Sequence, residues 1–181
     1  MGVGRGTLFL VVGPSGAGKD TLIAAARQRL PGEAYLFARR VVTRPAEVGA
    51  EAHEPATAAE FAALAQAGGF ALRWSAHGLC YGIRTDIAEA LAAGRHVVAN
   101  VSRRIVAPAR ARFAPLAVVE VTAAPEVLAQ RLAARGREGA ASIAERLARA
   151  DAVPVEGPVR RIDNSGDLAA AADAFVCALR P

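Results

Sequence analysis

The chain has 181 residues, 53% of them hydrophobic and 22% charged, with a formal net charge of +5. That length supports one full hydrophobic core, and this balance of apolar and charged residues excludes an intrinsically disordered chain. No window reaches the roughly 18 unbroken apolar residues that a transmembrane helix needs, so no membrane partner is expected.

A short apolar run over residues 7–12 predicts a first strand, and a glycine-rich turn follows it. Leu22, Ile23, Ala26 and Leu30 share one side of a predicted helix over 20–30, which Pro31-Gly32 stops. Residues 35–42 read as one strand, and 43–55 as a loop without periodicity. A helix is predicted over 58–67, ended by Gly68-Gly69, then short strands over 70–74 and 80–83 around a turn at His77-Gly78. A helix over 86–93 leads to a buried-type strand over 96–101 and a further helix over about 104–112. Residues 116–122 form another apolar strand, and the helix from Pro125 runs to about Ala134. A helix over 142–150, a last short strand over 159–162 and a final helix over 168–179 complete the chain. Alternating strands and helices predict an α/β fold with a central parallel sheet covered on both faces.

The positive charge is arginine dispersed along the chain in pairs such as Arg39-Arg40, Arg103-Arg104 and Arg160-Arg161. With only 5% aromatic residues and no basic run interleaved with them, small polyanions are favoured over nucleic acid. Cys80 and Cys177 are too few and too far apart for a disulfide framework or a zinc site, and both read as small buried thiols. The first residues lack the pattern of a signal peptide, so a cytoplasmic location is expected.

Lys19 is the only lysine in the chain. It closes Gly13-Pro14-Ser15-Gly16-Ala17-Gly18-Lys19, which fits the phosphate-loop pattern and lies between a predicted strand and a predicted helix. Glycines there let backbone N–H groups converge on phosphate oxygens, and the helix N-terminus adds partial positive charge. Lysine is a flexible point charge suited to the β- and γ-phosphates, a task arginine performs poorly. Where the pattern has Ser or Thr to ligate Mg²⁺, this chain has Asp20, followed by Thr21. Asp20 either binds the metal, directly or through water, or turns aside as a first-turn partner of the helix dipole.

On these residues the chain resembles the guanylate-kinase-like group of P-loop kinases. Thr43-Arg44-Pro45 looks like the start of that group's acceptor-phosphate loop, and Tyr81-Gly82 like its end. Arg131-Leu132 through Arg135-Gly136, with Arg146-Leu147, look like its arginine-bearing lid. Within the group, Gly18-Lys19-Asp20 and Thr43-Arg44-Pro45 followed by Gly49, Glu51 and His53 are similar to the ribose 1,5-bisphosphate phosphokinases. His77-Gly78-Leu79 before Tyr81-Gly82, and Asn100 with Ser102-Arg103, extend that similarity. Guanylate kinases would be expected to carry a second acceptor arginine, but Ala46-Glu47-Val48 offers none. Their guanine-reading acid falls near Leu72, a phosphate-binding tyrosine at Cys80, and an acidic pair at Ala99 and Asn100.

The resemblance implies a P-loop NTPase three-layer fold in one domain over 1–181, with an acceptor-binding insert near 43–85 and a lid near 135–145. It implies use of ATP and Mg²⁺, with a small phosphorylated sugar as the acceptor: ribose 1,5-bisphosphate would become 5-phosphoribosyl 1-diphosphate, in phosphonate breakdown. Lys19 and Arg44 would act on the donor and acceptor phosphates, and Arg131, Arg135, Arg137 and Arg146 are candidates to close over the transferring group. Arg135 and Arg146 are the leading pair among them. Glu51, His53, His77, Tyr81, Asn100 and Arg103 are candidate contacts to the sugar or its second phosphate. A nucleoside monophosphate kinase and a non-catalytic interaction module are the alternatives. The intact Lys19 loop argues against the module.

Overall fold

The computed structural model describes residues 6–45, 53–134 and 154–181. Five strands form a parallel sheet: β1 (Leu8–Val12), β2 (Tyr35–Phe37), β7 (His96–Asn100), β8 (Leu116–Thr122) and β9 (Arg160–Asp163). Their order across the sheet is β2-β7-β1-β8-β9, so the first strand lies at the centre. Every residue of β1 is fully buried, as a strand covered on both faces requires.

Side chains alternate across β1 with the period of two expected of a strand. Leu8, Leu10 and Val12 face one layer, with Ile87 and Leu91 of α3 (Asp86–Ala92) and Val106 and Ala109 of α4 (Val106–Arg110). Phe9 and Val11 face the opposite layer. It holds Leu22 and Ala26 of α1 (Lys19–Arg29), Leu128 of α5 (Pro125–Ala134) and Phe175 of α6 (Leu168–Ala178). The result is the three-layer arrangement expected from the alternation of elements.

A second, four-stranded sheet has the order β4-β3-β6-β5, from β3 (Arg40–Val42), β4 (Glu54–Pro55), β5 (Phe70–Ala76) and β6 (Leu79–Arg84). It is mixed, with β3 parallel to β4 and antiparallel to β6, so only the central sheet is parallel throughout. The β5–β6 hairpin turns at His77 and Gly78, both in the left-handed region (φ 52° and 72°), as a two-residue turn between twisted strands favours. The preceding helix α2 (Ala58–Gln66) starts at a capping box: Thr57 Oγ1 accepts from the Glu60 N–H, and the Glu60 carboxylate accepts from the Thr57 N–H.

Three expected boundaries differ. The single strand over 35–42 is two strands in two sheets. The Ala38 N–H still donates to Val98 O beside β7, whereas Arg40 already pairs with Ile83 of β6. An apolar run carries no record of which neighbour it pairs with. Residues 54–55 of the expected loop form β4, clasped to β6 by the Glu54–Arg84 ion pair. The hydrogen bonds from Arg84 hold the Glu54 carboxyl below the usual carboxylate range. The helix over 104–112 is a 3₁₀ turn (Arg103–Ile105) followed by the five-residue α4. Pro108, which has no N–H to give, sits in the first turn of α4, the one place a helix tolerates it.

Cys177 is exposed, not buried, and Cys80 is partly buried. His96, by contrast, is built into the core edge: its Nδ1 accepts from the Thr7 N–H at 3.0 Å and its ring meets those of Phe9 and Tyr35. Among the described residues, no helix is long and apolar enough to cross a membrane.

Candidate active site

The loop over residues 13–18 leaves the C-terminal end of β1 and opens α1. Gly13 (φ 144°) lies so close to β8 that a Cβ there would sit 2.1 Å from Val121 O. Gly18 (φ 86°) caps α1 in the left-handed region, and a Cβ would sit 2.3 Å from Asn164 Nδ2. No side chain caps α1, so its first N–H groups stay open to an anion. Lys19 Nζ folds back over the loop and donates to Gly13 O and Pro14 O, both at 2.8 Å.

Asn164, which follows β9, fixes this loop from below. It is 1% exposed, and its Nδ2 donates to Ala17 O at 2.7 Å. Arg131 on α5 in turn donates from Nη2 to Asn164 O at 2.9 Å, while its Nη1 is buried without a hydrogen-bond partner among the described residues. Arg131 therefore stands on the helix beside the phosphate loop. Sequence reasoning took residues 164–166 for a turn and missed the latch. Asn164→Ala should lower stability by about 1–3 kcal/mol, the cost of stranding a buried carbonyl. ATP binding should weaken more than acceptor binding. Thermal unfolding and separate titrations of the two substrates check this.

Asp20, in the first turn of α1, accepts from Asn100 Nδ2 at 2.8 Å. Asn100 ends β7, whose register places it beside Val11. A carboxylate can only accept, so this bond fixes the orientation of the amide. Asn100 Oδ1 is left buried with no hydrogen-bond partner among the described residues. Asn100, a candidate contact to the sugar or its second phosphate, thus has Asp20 as a partner. The pair presents oxygen atoms suited to a hard cation. Among the described residues no cluster of three or more His, Cys, Asp or Glu forms a metal cage. One carboxylate supplemented by nucleotide phosphates is the usual way Mg²⁺ is held in such sites.

Two further expected residues lie with the second sheet, Tyr81 in β6 and Arg44 just after β3. Arg44 follows β3, and its backbone is pinned on both sides. Its N–H donates to Val42 O at 2.8 Å, and the His53 ring Nε2 lies 3.2 Å from its carbonyl. His53 is 5% exposed, so it positions Arg44 through the main chain. Arg44 Nε is buried and has no hydrogen-bond partner among the described residues. Thr43 is stitched to β6 in both directions, its N–H to Cys80 O (3.1 Å) and its Oγ1 from the Cys80 N–H (2.8 Å).

Tyr81 stacks on Trp74 with ring centroids 5.4 Å apart and planes 6° apart, and the Arg40 guanidinium lies 5.4 Å from the Tyr81 centroid. Trp74 also packs against the hydrophobic core. Burial pulls the Arg40 guanidinium below the usual arginine range, Asp20 and Tyr81 push it back up, and Arg44 lowers it further. Arg40 therefore sits against Tyr81 and within electrostatic reach of Asp20 and Arg44. Sequence reasoning missed Arg40, although the strand period places it on the same face as Val42 and Arg44.

Other expected residues stand elsewhere. Arg103 is ion-paired with buried Glu120 of β8 at 3.0 Å, and Arg161 reaches the same carboxylate at 3.2 Å. His77 is exposed at the β5–β6 turn. Glu51, Arg135, Arg137 and Arg146 lie outside the described residues, as does the expected lid over 135–145.

A family described as an AAA domain matches residues 8–153. A protein of Acidiphilium cryptum named ribose 1,5-bisphosphate phosphokinase PhnN is 61% identical over 153 residues, covering 83% of this chain and 80% of that protein. The chain belongs to the ribose 1,5-bisphosphate phosphokinase family. It is also 49% identical, over 98% of its length, to a protein of Azorhizobium caulinodans named bifunctional ribose 1,5-bisphosphokinase-thymidine phosphorylase. The chain spans only 26% of that longer relative. In fold it is similar to a guanylate kinase from Anaplasma phagocytophilum (TM-score 0.69, 17% identity), covering 98% of this chain and 86% of that one. The chain therefore has a guanylate-kinase-like fold.

Proposed function

We propose that the chain transfers the γ-phosphoryl group of ATP to the anomeric phosphate of ribose 1,5-bisphosphate, giving 5-phosphoribosyl 1-diphosphate and ADP. One observation carries the reading: besides a phosphate loop, the chain holds Arg44 with a buried Nε that has no hydrogen-bond partner among the described residues. Such a group calls for an anionic acceptor, and the named relatives supply its identity.

The acceptor phosphate is already an anion near neutral pH, so no strong general base is needed. Catalysis then rests on position and charge. Lys19 exchanges its two loop carbonyls for the β- and γ-phosphate oxygens, and the open N–H groups of α1 add to the cradle. Arg44, held by His53, grips the acceptor phosphate and sets it in line with the γ-phosphorus. Asp20, oriented by Asn100, would hold Mg²⁺, which supplies neutralisation of charge on the donor phosphates when bound. In this reading residues 43–85 are the acceptor-binding insert. Arg131, from its place beside the loop, and Arg135 and Arg146 of the lid close on the transferring group. Glu51 and His77 serve the sugar. An ATP-using enzyme with two free thiols, Cys80 and Cys177, fits the reducing cytoplasm.

Asp20→Ala should raise the magnesium concentration needed for half-maximal activity, with partial rescue by excess metal. Asp20→Asn keeps an oxygen for Asn100 and removes only the charge, so it should shift the midpoint less. An unchanged midpoint in Asp20→Ala would remove the metal role and leave a helix-dipole partner worth about 0.3–1 kcal/mol. The reaction itself is tested by ADP release with ribose 1,5-bisphosphate against GMP. Turnover with GMP alone would favour the nucleoside monophosphate kinase reading.

A further inference from the structure

Glu120 is a buried acid that the proposed chemistry does not use. It lies in β8 beside Val12, the residue before the phosphate loop, and the strand period turns it to the same layer as Val12 and Val118. Burying a carboxylate among apolar side chains costs hydration that an apolar residue would not lose, so stability alone does not account for an acid there. Its Oε1 meets Arg103 Nη2 at 3.0 Å, and its Oε2 meets Arg161 Nε at 3.2 Å. The two arginines differ. Arg161 is exposed on β9, the strand next to β8. Arg103 comes from beyond β7, and β1 lies between β7 and β8. The Arg103–Glu120 pair thus spans two strand spacings, about 10 Å, across the end of the strand that carries the phosphate loop.

Arg103 belongs to a segment that touches both sheets' side of the site. Asn100, at the start of that segment, donates to Asp20 on the first turn of α1. The 3₁₀ turn Arg103–Ile105 packs against β5 of the second sheet, the sheet whose β3 leads into Arg44. Ile105 joins the same core layer as Leu72 of β5. Glu120 pins this junction in its middle, so the donor-side and acceptor-side elements keep one spacing. Transfer between two bound phosphates depends on that spacing, and a misplacement of about 1 Å can cost about a hundredfold in rate. We propose that Glu120 is a positioning residue: through Arg103 it holds the segment between the phosphate loop and the second sheet in place, without touching either substrate. This rests on the reading of the reaction given above.

Steady-state kcat and KM for ATP and ribose 1,5-bisphosphate are measured on the full chain, on Glu120→Gln, Arg103→Gln and their double variant, and on Arg161→Gln. Unfolding midpoints verify that each variant is folded. Arg103→Gln takes a partner from a buried carboxylate; where it fails to fold, Glu120→Gln and the double variant, which bury no carboxylate there, carry the test. Glu120→Gln should lower kcat by at least about tenfold and leave both KM values within about twofold of the parent. Arg103→Gln should match it. The double variant should be no slower than the slower single, because each breaks the same bridge. Arg161→Gln should keep the parent rate, since an exposed ion pair contributes little. A normal kcat in Glu120→Gln with only the midpoint lowered assigns the acid to stability and overturns the proposal. A raised acceptor KM at unchanged kcat overturns it by making Arg103 a substrate contact. An equal loss in Arg161→Gln, or multiplying losses in the double variant, overturns the bridge as the cause. A parent chain that does not turn over ribose 1,5-bisphosphate overturns the proposed reaction and this role together, whereas an active parent with any of the other contrary results overturns the role alone.

Discussion

Replacing Lys19 with alanine should lower phosphoryl transfer by at least about a hundredfold, the scale of removing one transition-state charge contact. The fold should survive, because the Lys19 ammonium bonds to two carbonyls of its own loop and carries no part of the apolar core. Lys19→Arg should not restore the rate, since a broad planar fork does not replace a compact ammonium within a tight loop. Single-turnover rates with saturating acceptor, set beside the unfolding midpoint, separate chemistry from stability. A folded Lys19→Ala protein with a near-normal rate would remove the loop from the reaction.

Arg44 should show a comparable loss with a different signature. Arg44→Ala removes the acceptor-side guanidinium whose Nε is buried and unmatched among the described residues, and kcat/KM for the acceptor should fall about a hundredfold or more. Arg44→Lys keeps the charge without the fork and should fall less. The KM for ATP should hardly move in either variant, because Arg44 follows a strand of the second sheet and the phosphate loop follows a strand of the first. Titrating each substrate separately decides this. A fall in ATP affinity with acceptor affinity intact would assign Arg44 to the donor side.

The phosphate loop was legible from sequence because its determinants are contiguous: a strand, a run of small residues, a lysine and a helix. The central sheet was legible for a related reason, since buried parallel strands read as short apolar runs. What escaped was whatever depends on residues far apart in the chain. Asn164 bonds to Ala17 across 147 positions, and nothing local in Asn164-Ser165-Gly166 separates a latch from an ordinary turn. Asn100 meets Asp20 across 80 positions, so a polar residue at a strand end, a candidate contact to substrate, has a distant side chain as a partner. His53 was one of several candidate contacts to the sugar or its second phosphate, and the fold buries it with its ring Nε2 3.2 Å from the Arg44 carbonyl. Arg40 was hidden in the pair Arg39-Arg40. Its neighbour Arg39 turns away to His53 O, and only the pairing of β3 with β6 shows which of the two sits against Tyr81.

Phosphorus-31 NMR of the reaction of ATP with ribose 1,5-bisphosphate tests the central claim most directly, because it shows where the new phosphate resides. The account predicts loss of the anomeric monophosphate signal, appearance of the coupled pair of a 1-diphosphate, an unaltered 5-phosphate, and ADP in equal amount. ADP released without a new diphosphate, or a diphosphate formed at the 5-position, would contradict it.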